Sequence, residues 1–144
     1  MICLTIACRP VKHYDLPYNE AKTKIAWMGT VKEPGVSQKD ISTKVIQWSI
    51  QNGYQLEKQG GDSYVISLTG SILSLDKRKV PFRLYFFVHE NEFQFEITDV
   101  SIYRRTLEYF YTWKKRKVQR KFYKDFVYLD KAFNEMKDKI GMIK

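Results

Sequence analysis

Apolar residues change their spacing twice along this chain, and the changes mark out its elements. From Thr23 to Lys32, Ile25, Trp27 and Gly29 alternate with Lys24, Ala26 and Met28, the two-residue repeat of a half-buried strand. Pro34-Gly35 closes it, because proline donates nothing to a ladder and glycine suits a turn. Ser37 follows as a helix N-cap with Asp40 three positions on. Ile41, Val45 and Trp48 then recur at helical spacing, with Ile46 beside them, until Asn52-Gly53 stops the run. The spacing predicts a helix over 38–51.

At Tyr54 the period falls back to two. Tyr54, Leu56 and Lys58 begin a strand that Gly60-Gly61-Asp62 turns back. Tyr64, Ile66 and Leu68 alternate with Val65, Ser67 and Thr69, and Gly70 predicts a bulge or bend before Ile72. After a polar turn at Asp76-Lys77-Arg78-Lys79, Phe82, Leu84, Phe86 and Val88 line one face and Arg83, Tyr85, Phe87 and His89 the other. A turn at Glu90-Asn91-Glu92 leads to Phe93, Phe95 and Ile97. The apolar phase then slips to Val100 and Ile102, which implies a bulge near Asp99.

The last segment returns to helical spacing. Phe122, Phe126, Leu129, Phe133, Met136 and Ile140 form a stripe that needs an apolar partner, and the sheet is the one available. Ahead of it, Leu107, Tyr109, Phe110, Tyr111 and Trp113 either extend the helix or wrap the sheet edge. The order β-α-β-β-β-β-α predicts an α+β two-layer domain over residues 23–144, an antiparallel sheet with both helices on one face. Residues 1–22 read as a leader and tether, because 9–22 carry Pro10 and Pro17 without a clean period.

The chain has 144 residues, 44% hydrophobic and 15% aromatic, which suffices for one packed core and excludes a disordered chain. No stretch approaches the ~20 apolar residues of a membrane-spanning helix. Charge is divided unevenly. Residues 1–103 hold 12 Lys+Arg against 11 Asp+Glu, and residues 104–144 hold 13 against 5, so 8 of the 9 net positive charges lie in the last segment. Most belong to one run, in which Trp113, Lys114, Lys115, Arg116, Lys117, Arg120 and Lys121 are candidate binding residues. Beside Tyr109 and Tyr111 they could stack and neutralise a nucleic acid, or they could meet anionic headgroups at ~1 kcal/mol per basic residue. On a helix, residues 114–121 point in all directions, so a solvated face is the plainest reading. An acidic or anionic partner ranks next and nucleic acid last.

Catalytic chemistry is poorly represented. His89 lies near Glu90 and Glu92 and reads as a solvated hairpin tip. Glu96 and Asp99 are three apart on a strand and would share a face only across a bulge. There is no glycine-rich phosphate loop, nucleophile elbow or cysteine-based metal spacing. The expectation is no enzyme, no cofactor and no metal.

Cys3 and Cys8 are the only cysteines. Met1-Ile2-Cys3-Leu4-Thr5-Ile6-Ala7-Cys8 is apolar and ends in a small residue and cysteine, like the tail of a lipoprotein signal with Cys8 as the lipidated residue and membrane tether. Thr5 stands where leucine is usual, and no basic opening precedes the run. Taken as a leader it implies the cell envelope, as a periplasmic or outer-membrane lipoprotein; otherwise the chain would be cytoplasmic.

Val31-Lys32-Glu33-Pro34-Gly35-Val36-Ser37-Gln38-Lys39-Asp40, with the helix ending Gln47-Trp48, and Phe93-Gln94-Phe95-Glu96-Ile97-Thr98-Asp99-Val100 resemble two motifs of one bacterial family. It is the family described as a domain of unknown function with a TATA-binding-protein-like fold, and the resemblance spans about residues 24–140. It implies that fold and an envelope location, and brings no catalytic residues. The expected role is therefore a non-catalytic binding module for an unknown protein or anionic surface ligand. Its contact surfaces would be the helix-free sheet face around Arg83, Tyr85 and Phe87 and the basic segment 114–121. The alternative is a cytoplasmic nucleic-acid-binding protein using that segment.

Overall fold

The computed structural model describes residues 14–57, 64–112 and 116–143, without the side chains of 112 and 116–120. In chain order the elements are β1 (Trp27–Lys32), α1 (Gln38–Gln51), β2 (Gln55–Leu56), β3 (Val65–Leu73), β4 (Lys79–His89), β5 (Glu92–Thr98), β6 (Ser101–Ile102), β7 (Arg105–Thr106), α2 (Leu107–Thr112) and α3 (Arg116–Gly141). β2 to β5 form an antiparallel meander, and β1 pairs antiparallel with β5, giving the order β1-β5-β4-β3-β2. β6 and β7 make a separate two-stranded ribbon.

Helix α1 starts where capping chemistry places it: Ser37 Oγ accepts from Asp40 N–H at 3.2 Å. The loop before it is laced to the β4–β5 turn. Asn91 Oδ1 accepts from Gly35 N–H at 3.0 Å, and Asn91 N–H donates to the Val36 carbonyl at 3.1 Å. The first resembling motif is thus largely turn, cap and lacing.

One face of the sheet is covered. Ile66, Leu68, Phe82, Leu84, Phe86, Phe93, Phe95 and Ile97 are buried there with Ile41 and Val45 of α1. The predicted α3 stripe is buried over its whole length, with Phe133 wedged between Trp27 and Phe82 at ring separations of 4.6 and 5.5 Å. The α+β sandwich expected from the pattern is the observed architecture.

Five local expectations are corrected. First, β3 runs through Gly70 in regular register with Phe82, so there is no bulge; a Cβ there would lie 2.8 Å from Phe82 and 2.7 Å from Tyr54 ring atoms. The glycine makes room for two rings. Second, the phase slip after Ile97 is a strand end. Asp99 takes φ 51°, β5 stops at Thr98, and Val100 and Ile102 enter the core beside the new ribbon. Third, the aromatic stretch from Leu107 neither extends α3 nor wraps the edge, but forms its own helix, with Phe110 packed on Phe122 at 4.5 Å. Fourth, the first strand begins at Trp27, and Ile25, Ala26 and Trp27 are buried consecutively where the 16–18 segment lies alongside, Ala26 N–H donating to the Pro17 carbonyl and Tyr18 bridging to Ile25.

The fifth concerns the segment read as a tether. Its described part is packed on the body. Leu16 is buried, its N–H donates to Tyr111 Oη at 3.2 Å, and Tyr18 bridges to Ile25. Asp130 of α3 is the anchor: Oδ2 accepts from Tyr14 Oη at 2.5 Å and Oδ1 from Trp27 Nε1 at 2.8 Å. That bond, with burial and the nearby charge, raises the Tyr14 hydroxyl to about 12. Polar tyrosines and two prolines masked a packing segment whose partners lie far along the chain. The turn at 60–62, Cys3, Cys8 and His13 lie outside the described residues.

Candidate functional site

The uncovered face of the sheet carries the chemistry. Strand register fixes which residues are neighbours there: Thr69–Arg83–Thr98, then Ser67–Tyr85–Glu96–Met28, then Val65–Phe87–Gln94–Thr30. Arg83, Tyr85 and Phe87 stand together on this face as the alternation predicts. Tyr85 and Phe87 lie with ring centroids 6.3 Å apart and planes 21° apart, half-exposed, on a face that no helix covers.

Beside the aromatic pair runs a short ion network. Arg83 Nε is 3.3 Å from Glu57 Oε1, and its Nη1 is 3.9 Å from Asp99 Oδ2. Asp99 in turn accepts from Lys24 Nζ at 2.7 Å, a bond that raises the lysine further above its usual value. The left-handed backbone at Asp99 is what brings its carboxylate to this side. Glu96 stands opposite Tyr85 and Asp99 reaches Arg83, so the two carboxylates do share a face. Burial raises the Glu96 carboxyl above the usual range, Lys24 lowers it in part, and Asp99 adds to the rise. These partners cannot be read from β4 alone. Glu57 and Lys24 lie 26 and 59 residues before Arg83, and the turn residues that place them carry only a weak sequence signal.

At the β1 edge the face hollows into a cleft of about 420 Å³. Met28, Thr30, Gln94, Glu96 and Phe87 line its floor, and Asn19, Glu20 and Ala21 form one wall. That wall is a tight turn in which Asn19 Oδ1 accepts from Thr23 N–H at 2.9 Å and Lys24 N–H at 3.3 Å. Its residues were absent from the sequence-based candidates because they fell in the supposed tether.

The basic candidates are not brought to this face. Trp113, Lys114 and Lys115 lie outside the described residues, and Arg116, Lys117 and Arg120 are placed on the first turns of α3 by backbone only. Lys121 is exposed, its ammonium 5.7 Å from the Phe122 ring centroid. Neither flanking tyrosine offers a free stacking surface: Tyr111 packs on Phe126 and Tyr18, and Arg105 lies over Tyr109 at 4.5 Å. Around His89 the carboxylates are engaged elsewhere, Glu92 with Lys32 at 2.8 Å and Glu90 with the Gln38 N–H at 3.2 Å. Among the described residues no three His, Cys, Asp or Glu side chains are grouped to hold a metal ion, and no helix is long and apolar enough to cross a membrane.

No protein-family model matches the chain, and no curated protein matches it. Solved structures do. A TBP-like protein from Parabacteroides distasonis superposes with a TM-score of 0.54 at 12% identity, over 89% of this chain and 98% of that one. A DUF4468 family protein from Bacteroides ovatus superposes with a TM-score of 0.57 at 13% identity, over 82% of this chain and 85% of that one. The chain therefore has a TBP-like fold, as the sequence resemblance implied. At such identities the likeness speaks for the fold alone.

Proposed function

We propose that this chain is a non-catalytic binding module whose contact surface is the helix-free face of the sheet, with Tyr85 and Phe87 as anchors and Arg83 beside them. The observation that carries this reading is the stacked aromatic pair held on an uncovered face next to a formed cleft. Large aromatic side chains on rigid strands are good anchors, since little conformational freedom is lost when a partner covers them. The ion network fixes Arg83 at the rim, where charge contributes more to selectivity than to affinity. We place the module in the bacterial envelope on the strength of the leader-like run ending at Cys8.

The test is photo-crosslinking in the native cell, with a photoreactive residue at Phe87 and, as control, at Lys39 on the solvent side of α1. The expected result is a discrete adduct from position 87, lost on Tyr85→Ser, and none from position 39. No adduct from 87, or the same pattern from both positions, overturns the reading. The alternative, nucleic-acid binding through the basic segment 114–121, predicts instead a nucleic-acid complex whose affinity falls steeply with salt and is lost when Lys114, Lys115, Arg116 and Lys117 are changed to Ala.

A further inference from the structure

Strand β1 is one of the two outer strands of the sheet. Among the described residues its outer side meets another strand only before it begins, at the Tyr18–Ile25 bridge. Beyond Trp27 no described residue bonds to the backbone groups of that side, and a further strand could pair with them. Two hollows flank the same stretch of β1, one on each face of the sheet. On the helix-free face lies the cleft of about 420 Å³ described above. On the helix-bearing face a second hollow of about 430 Å³ is lined by Val31, Phe95, Lys137, Asp138, Gly141 and Met142, with the backbone of Gly29 and Thr30 at its base.

The two hollows differ in character. The first holds Glu20 and Glu96, neither of which makes a hydrogen bond or ion pair among the described residues, though Lys24 lies within electrostatic reach of Glu96, together with Gln94, Thr30 and the Phe87 ring. The second is mainly apolar, and Met142 there is 71% exposed. Gly29 shapes this edge. The Phe95 ring lies over it so closely that a Cβ would come within 2.6 Å of ring atoms. A strand laid along β1 would send successive side chains alternately into the two hollows, because side-chain direction alternates along any strand.

We propose that the β1 edge binds an extended peptide segment in which basic and apolar residues alternate, by adding it to the sheet as a further strand. The Lys or Arg side chains enter the hollow beside Glu20, Glu96 and Phe87, where two carboxylates and an aromatic face suit a cation. The intervening apolar side chains cover Val31, Phe95 and Met142. Main-chain pairing supplies affinity and the two hollows supply selection. The inference deepens the reading of the open face as a binding surface and names its partner's chemistry.

The test uses the full chain, isotopically labelled, titrated with the capped peptide Thr-Lys-Val-Lys-Val-Thr and, as control, Thr-Glu-Val-Glu-Val-Thr. Expected are amide shift changes along Met28–Lys32 and at Glu96 and Met142, with the basic peptide about five- to tenfold tighter, the weight of one or two exposed ion pairs. In a Glu20→Gln, Glu96→Gln double variant with unchanged melting temperature, that preference should vanish while weak binding of both peptides persists. Absence of binding, shifts confined to residues away from β1, or a preference unchanged in the double variant each overturns the proposal. Loss of peptide binding with a persistent crosslink from position 87 would overturn this inference and leave the open-face reading standing.

Discussion

The two faces of the sheet are built from alternate residues of the same strands, yet they obey different rules. On the covered face, Phe82, Leu84, Phe86 and Val88 of β4 are all buried and meet side chains from distant elements, as Phe82 meets Phe133, 51 residues further along the chain. On the open face, Arg83, Tyr85 and Phe87 interleave with them and meet mostly polar neighbours. The covered face is held by volume and shape, so its residues are constrained by what fits. The open face leaves its aromatic pair half-exposed and its charges tied into a network, so its residues are free to answer to a partner. A substitution should therefore cost stability on one face and recognition on the other.

The sharpest way to break the comparison is Phe133→Ala. This ring is fully buried between Trp27 and Phe82, and its loss should destabilise the fold by about 3–5 kcal/mol in chemical denaturation, with no change in the denaturant slope. Gly29→Ala comes next. The added methyl meets the Phe95 ring, and we expect a loss of about 1–3 kcal/mol that shrinks when Phe95 is also changed to Leu.

Asp130→Asn tests the anchor between the two ends of the chain. We expect a loss on the order of 1–2 kcal/mol and a Tyr14 hydroxyl whose titration, followed by ultraviolet absorbance, falls from about 12 toward the ordinary tyrosine value. The sign of the pH effect follows. Because the folded value is raised, this stabilisation is fully present below pH 10 and is lost as pH rises from 10 to about 12. The variant should flatten that decline. On the open face, Tyr85→Ala should stay within about 1 kcal/mol of the parent while abolishing the crosslink from position 87, and Phe87→Ala should likewise leave stability within about 1 kcal/mol. Smallest of all, Arg83→Ala should cost only about 0.2–1 kcal/mol, an effect that added salt erases.

What the sequence made legible was whatever repeats at short range. The alternation in β4 and β5, the α1 cap at Ser37 and the stripe from Phe122 to Ile140 each declare themselves within a few residues, and the open-face trio followed from the same alternation. What it hid depends on distant partners. The Leu16 segment looked like a tether because its burial comes from Tyr111 and Asp130. The slip at Asp99 looked like a bulge because a left-handed residue that ends a strand shifts the apolar phase in the same way. Gly70 looked like a bend because the rings it accommodates come from Tyr54 and Phe82. The edge hollows were illegible for the same reason: Glu20 comes beside Glu96 only through the turn at 19–23, and Met142 comes beside Val31 and Phe95 only once the end of α3 lies along β1.

The junction at Asp130 also bears on how the molecule comes together and where it would give way. It joins residues separated by 116 and 103 positions, the longest reach among the side-chain bonds described. The meander contacts its neighbours at short range and can assemble early, whereas this closure waits until the final helix has formed. The Tyr14–Leu16 segment is therefore the last of the described elements to be secured. A pull applied at Tyr14 loads its bond to Asp130 directly, so the fold would open at that junction while the sheet behind it stays intact.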